Sequence, residues 1–297
     1  MSLLLVVAGR WGYHRDELYY VVGGQHPAWG YVDHPPLTPA LARWSNAIFP
    51  KSLTGFRLLP ALVSSALLIV AAATAIELGG SHRAAAVATL AALACPMLLA
   101  GGHRFQTVPF DQLFGALAIL VWLHLLGGGN SLWWLVLGLL VGAGLENKWT
   151  MLLVVGAIGV GTLASADLRG DLASPWLWLG VVLAIGLWAP NLRWQIRHRW
   201  PTLNFIRDNS SAFRHDEGWA AFLWQQLGVL GVPLLVFAAA GIVWAWREPE
   251  WRPATLGVVT IILVLAVVGA KPYYHGAFLP FVFATGALAL DGWVESS

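Results

Sequence analysis

SLWWLVLGLLVGAGLENKWTMLLVVGAIGVGTLASA, residues 131–166, carries ionisable side chains only at Glu146 and Lys148, with Asn147 between them. As one helix these 36 residues would run about 54 Å, far beyond the roughly 30 Å hydrocarbon core of a bilayer. A charge at the middle of a spanning helix also costs about 2.5 to 3.5 kcal/mol. The triplet therefore reads as a tight turn between two short membrane helices. That reading sets the fold class: all-α, a polytopic bundle of transmembrane helices.

Apolar runs of the same character recur on both sides, at 2–8, 56–79, 84–102, 109–127, 175–190, 219–246, 254–270 and 277–290. With 131–146 and 149–166 they predict about ten spans. The first is short and reads as the end of a first helix. Hydrophobic residues make up 58% of the chain and charged residues 11%, against roughly 25% charged in a soluble domain, which excludes a solvated globule. A net charge of +2 with no long basic tail excludes a nucleic-acid partner. Cys95, alone and inside an apolar run, excludes a disulfide framework or a cysteine metal centre. The 18 Trp, many near the ends of the runs, fit the aromatic belt of a membrane interface and helix packing alike. No repeat or soluble domain stands out, so 1–297 reads as one integral membrane domain.

Helices that alternate in direction place odd-numbered connections on one face and even-numbered ones on the other. The odd face receives Asp16, Glu17, Asp33, Arg104, Asp111, Lys148, the segment 191–218 and the loop 271–276. Of the 17 Lys and Arg, four (Arg83, Arg169, Arg247 and Arg252) fall on the even face, which leaves 13 on the odd one. An inert bundle has little reason to gather its polar groups in this way. The first odd loop, YHRDELYYVVGGQHPAWGYVDHPP (residues 13–36), holds Asp16, Glu17, Asp33 and His34 among four Tyr. Carboxylates at a low-dielectric boundary serve as general bases or hold a divalent cation, although a DE pair alone is as readily a solvated loop end. Pro35, Pro36 and Pro39 stiffen the chain ahead of an amphipathic stretch, Leu37 to Phe49, read as lying along the interface.

Asp111 stands at the start of a span, where an acid is as often a dipole-favoured cap as a functional group. Lys148 has two readings, a pair with Glu146 or an ammonium offered to a phosphate. In GAKPYYHGAFLP (269–280), Lys271, Tyr273, Tyr274 and His275 suit a lipid phosphate, or simply anchor the helix end.

Taken in order, HRDELYY (14–20), YVDHPPLTP (31–39), the short loop leading to Asp111, LENKWT (145–150), RHRWPTLNFIR (197–207), FLWQQLGVLGVP (222–233) and KPYYHGAFLP (271–280) make the chain resemble the GT-C glycosyltransferases. The type is that of dolichyl-phosphate-mannose-protein mannosyltransferases and bacterial lipid A aminoarabinose transferases. The resemblance implies a multi-pass cell-membrane enzyme, in the bacterial inner membrane, with a structured first extracytoplasmic loop. Its activity would be transfer of a sugar from a polyprenyl-phosphate donor to a hydroxyl on a protein, lipid or glycan acceptor, with inversion. It also implies that Asp16 is the base, with Glu17, Asp33 and Asp111 as acidic positions around it, and that Lys148 and Lys271 meet the lipid phosphate. Arg104, Tyr273, Tyr274 and His275 are further candidates for that phosphate. A divalent metal on Glu17, Asp33 and His34 is left open, since the spacing matches no defined metal motif. Relatives of this type are longer, so the chain is either a compact member or part of a longer reading frame. The positive-inside bias points the cation-rich face to the cytoplasm, whereas the resemblance places it outside. The rival reading is a transporter or flippase of a lipid-linked or anionic solute built on broken helices.

Overall fold

A computed structural model describes residues 1–208 and 218–295, and the described residues are helical with no strand. The stub α1 (Ser2–Ala8) leads into the first loop, which carries α2 (Arg15–Gln25) and α3 (Leu37–Ile48). The short turn α4 (Leu53–Phe56) enters the long α5 (Leu58–Glu77). Then follow α6 (His82–Ala94), α7 (Pro96–Gly102), α8 (Thr107–Leu126), α9 (Trp133–Asn147) and α10 (Met151–Ala164). Beyond the turn α11 (Ala166–Gly170) come α12 (Pro175–Arg197), α13 (Pro201–Asp208), α14 (Gly218–Val229), α15 (Val232–Arg247), α16 (Arg252–Val267) and α17 (Leu279–Glu295).

The Glu146–Lys148 triplet does end one short helix before the next begins, since α9 stops at Asn147 and α10 starts at Met151. The run 84–102, read as one span, is broken inside: Pro96 forces Cys95 into an extended conformation, and the chain bends by 66°. The run 219–246, read as a single span, is bent at its middle. Gly231, with φ of 81°, turns α14 away from α15 by 111°. By length and apolarity the described residues contain four helices that can cross a membrane, or up to seven if each bent pair counts as one span. Two shorter apolar helices, α9 and α16, stand beside them. The expected ten is not confirmed by either count, because α1 has only 7 residues and α9 and α16, of 15 and 16 residues, are short for a span.

α17 is the centre of the bundle, packing on α5, α6 and α15 and burying Phe281 and Phe283 completely. α9 and α12 cross so closely that a Cβ on Gly138 or Gly180 would overlap the opposite backbone. This crossing fixes the α9–α10 turn against the end of α12, on the side where the first loop sits.

Candidate functional site

The first loop is organised by its own sequence. His14 caps α2: its Nδ1 accepts from the Asp16 N–H at 3.2 Å, while the Glu17 carboxylate accepts the His14 N–H at 2.8 Å. Glu17 is fully buried. Arg57 donates to both of its oxygens, at 2.8 and 2.6 Å, and the Phe105 N–H adds a further bond at 2.9 Å. Burial pushes this carboxyl up, but the hydrogen bonds and the Arg57 charge outweigh it and hold it below its ordinary 4.5. With four donors on two oxygens, Glu17 has no capacity left for substrate or metal. The same guanidinium donates to the carbonyls of Ala8 at 2.6 Å and Gly12 at 3.0 Å, pinning the end of α1 and the connecting loop to α5.

Asp16, the preceding residue on α2, remains 40% exposed, with Arg15 Nε 3.3 Å and His14 Nδ1 3.8 Å from its oxygens. Arg104 reaches the same cap, its Nη1 lying 3.2 Å from His14 Nε2. Asp33 is held by Tyr19, whose hydroxyl donates at 2.6 Å. Burial and this bond push the Tyr19 phenol up, and the neighbouring Tyr20, buried on the same helix, is pushed up to about 12. His34 is buried in a cage of Tyr19, Tyr20 and Tyr31 rings at 5.3, 5.0 and 4.8 Å. Its Nδ1 donates to the Pro35 carbonyl at 2.9 Å, and burial pulls it below 6.5.

The expected metal trio therefore does not form. Glu17 is saturated, the Nδ1 of His34 is engaged, and among the described residues no three His, Cys, Asp or Glu converge on a common point. The residues do not fit a metal, and no step is drawn through one.

Two later loops complete the arrangement. Lys148 makes no ion pair with Glu146; its ammonium sits 5.2 Å over the Tyr273 ring and 4.8 Å over that of Tyr274. Asp111 lies within electrostatic reach of Lys148 and accepts from Thr150 Oγ1 at 2.7 Å. Lys271 is half-buried. Burial lowers its ammonium, opposed by the charges of Asp16 and Asp33, which brings the last loop beside the first. His275 is displaced from the expected phosphate set. It is buried at 5% exposure, edge-on to Phe222 at 6.2 Å, and packs behind the loop.

Sequence reading passed over the residues that join these loops. Asn147, fully buried, accepts from Thr38 at 2.6 Å and donates to the Thr107 carbonyl at 3.0 Å, tying α3, α8 and α9 together. Asn191 accepts from Trp149 at 3.2 Å and donates to the Trp29 carbonyl at 2.9 Å. Arg57 is the largest omission, because an arginine just before an apolar run reads as a helix end reaching for water.

A family model described as dolichyl-phosphate-mannose-protein mannosyltransferase matches residues 33–194. No curated protein matches the chain. Among solved structures, ArnT from Cupriavidus metallidurans is similar in two states. In the apo state the TM-score is 0.77 at 19% identity, covering 99% of this chain and 59% of that one. Bound to undecaprenyl phosphate the TM-score is again 0.77, at 21% identity and coverage of 98% and 58%. The Archaeoglobus fulgidus oligosaccharyltransferase in the apo form is similar at a TM-score of 0.55 and 14% identity, covering 99% and 50%. The chain thus spans 50 to 59% of the length of these solved structures.

Proposed function

The chain belongs to the dolichyl-phosphate-mannose-protein mannosyltransferase family, a family of membrane glycosyltransferases, and from that premise we propose that it transfers a sugar from a polyprenyl-phosphate donor to a hydroxyl acceptor. The observation that carries this reading is that acids and cations from separate loops come within electrostatic reach of one another, Lys271 of Asp16 and Asp33 and Lys148 of Asp111, with the Lys148 ammonium over the Tyr273 and Tyr274 rings. The similarity to a transferase solved with undecaprenyl phosphate supports a lipid donor of that class.

In the proposed step Asp16, the acid with an open flank, takes the proton of the acceptor hydroxyl as its oxygen bonds to the anomeric carbon. The bond from that carbon to the phosphate oxygen breaks on the opposite side, so the configuration inverts. The lipid phosphate leaves with an added negative charge, which Lys148 and Lys271 neutralise in surroundings where charge interactions are stronger than in water. Asp33 orients Lys271, and Glu17 acts through Arg57 as a positioning residue. The site works on the extracytoplasmic face.

Asp16→Asn tests the assignment. The purified variant should bind undecaprenyl phosphate as the wild type does, yet lose roughly 100-fold or more in transfer from a lipid-linked sugar, within the range of a general base. Unchanged transfer by the variant would sink the role of Asp16. Vectorial movement of the lipid-linked sugar without any transfer would favour a flippase.

A further inference from the structure

Two odd-face cations are engaged within the candidate site, Arg57 on Glu17 and Lys148 over the tyrosine pair. The end of α12 is different. Arg193, Arg197 and Arg199 are exposed, and none has an acidic partner among the described residues; Asp208 is beside Arg207. Arg193 and Arg197 are four apart on one helix face, a like-charge spacing that is unfavourable unless an anion lies between them.

Just beyond them the backbone is strained. Arg199 and Trp200 have φ of 61° and 57°, two successive non-glycine residues in the left-handed region. Such a conformation is unfavourable for a residue with a side chain and persists only where its surroundings enforce it. The enforcement is visible. The Trp200 N–H donates to the Gln195 carbonyl at 2.7 Å, and Asn204 Nδ2 donates to the Arg199 carbonyl at 2.9 Å. Buried Gln195 donates to Thr202 Oγ1 at 2.6 Å, and the Thr202 N–H returns a bond to Gln195 Oε1 at 3.3 Å. Thr202 Oγ1 also reaches the Tyr31 carbonyl, at 3.4 Å, which anchors the turn to the first loop. The turn is thus a rigid element that directs three guanidiniums outward. Trp194, with the His198 ring stacked on it at 4.2 Å, adds an aromatic ledge. Ile196, Leu203 and Ile206 add exposed apolar groups.

We infer that this turn is a docking site for the anionic headgroups of bilayer phospholipids, separate from the donor-phosphate site. Guanidiniums on the phosphates, indoles at the headgroup level and aliphatic side chains reaching the acyl boundary are the three parts of interfacial lipid recognition. Charge complementarity selects an anionic lipid over a zwitterionic one.

The experiment is native mass spectrometry of the full chain, released from detergent containing either phosphatidylglycerol or phosphatidylcholine. The wild type should retain phosphatidylglycerol preferentially. A triple variant, R193Q/R197Q/R199Q, should lose that preference by roughly 100-fold, since each basic side chain near an anionic headgroup contributes about fivefold. The matching lysine triple should keep most of it, which separates charge from packing. Asn204→Leu should weaken retention while all three charges remain, because it frees the strained turn. Equal retention by the glutamine triple, or a loss that instead follows Lys148→Ala and Lys271→Ala, would overturn the inference. Binding of undecaprenyl phosphate by the glutamine triple tests the transferase reading separately. Loss of both lipids together would mean one shared site and would also refute the proposal.

Discussion

Arg57 joins more of the polar framework than any other described side chain, and its loss has a calculable effect. Removing one member of a buried ion pair leaves an uncompensated charge, at a cost of about 3 to 5 kcal/mol. Arg57→Leu should therefore lower the thermal midpoint sharply and abolish transfer, whereas Asp16→Asn should leave the midpoint within a degree or two. Thermal denaturation of the two purified variants side by side checks this. Acid should act on the same region in two stages. His34 has a folded value below 6.5, so the unfolded chain takes up the proton first and stability declines as pH falls below 6.5. Glu17, also held low, contributes stability that is present above 4.5 and is lost as pH drops through its folded value. His34→Gln should remove the first decline and leave the second. A midpoint that falls only below pH 4.5 in the wild type would contradict the role given to His34. The acids of the first loop were legible in the sequence because ionisable groups are scarce in so apolar a chain. The division of labour between Asp16 and Glu17 was not, because it depends on which of two adjacent side chains meets an arginine 40 residues away.

At the scale of helices, the α9–α10 turn was legible from charge alone, since a lysine and a glutamate cannot sit cheaply inside a continuous span. The bend between α14 and α15 was not, because hydropathy is the same on either side of Gly231 while the positive φ there is a property of the backbone. The close crossing of α9 and α12 predicts a contrast between two glycines. Gly138→Val places a branched side chain into the backbone of α12 and should lower the midpoint by an amount equivalent to about 1 to 3 kcal/mol or more. Gly159→Ala, on α10, meets nothing within 4 Å. It should be neutral or stabilising by up to about 1 kcal/mol, through the unfolded chain. Comparable losses in both variants would contradict the role given to the backbone contact between α9 and α12.

Across the whole molecule, sorting loops by parity anticipated which segments meet, and Lys148, Asp111, Lys271, Asp16 and Asp33 do gather. Parity succeeds even where the number of spans does not, because it depends on alternation near the site and not on the total. Orientation is a separate matter, on which the cation count and family likeness disagree. The structure supplies a physical reason for the cations in addition to topology, since several are engaged within the candidate site. Single cysteines introduced by Trp29→Cys and Gly128→Cys, in a Cys95→Ala background, separate the alternatives. A membrane-impermeant maleimide added to intact cells should label the first and spare the second; the reverse pattern would place the site in the cytoplasm.

The Arg57 bonds also impose an order on biogenesis. Ala8, Gly12 and Glu17 all wait for a guanidinium that leaves the ribosome 40 or more residues after them. Until the following helix begins to insert, the acidic loop has nothing to close upon. A chain stalled before that point would present an unlatched segment to proteases, and one stalled after it would already hold the acidic loop in place.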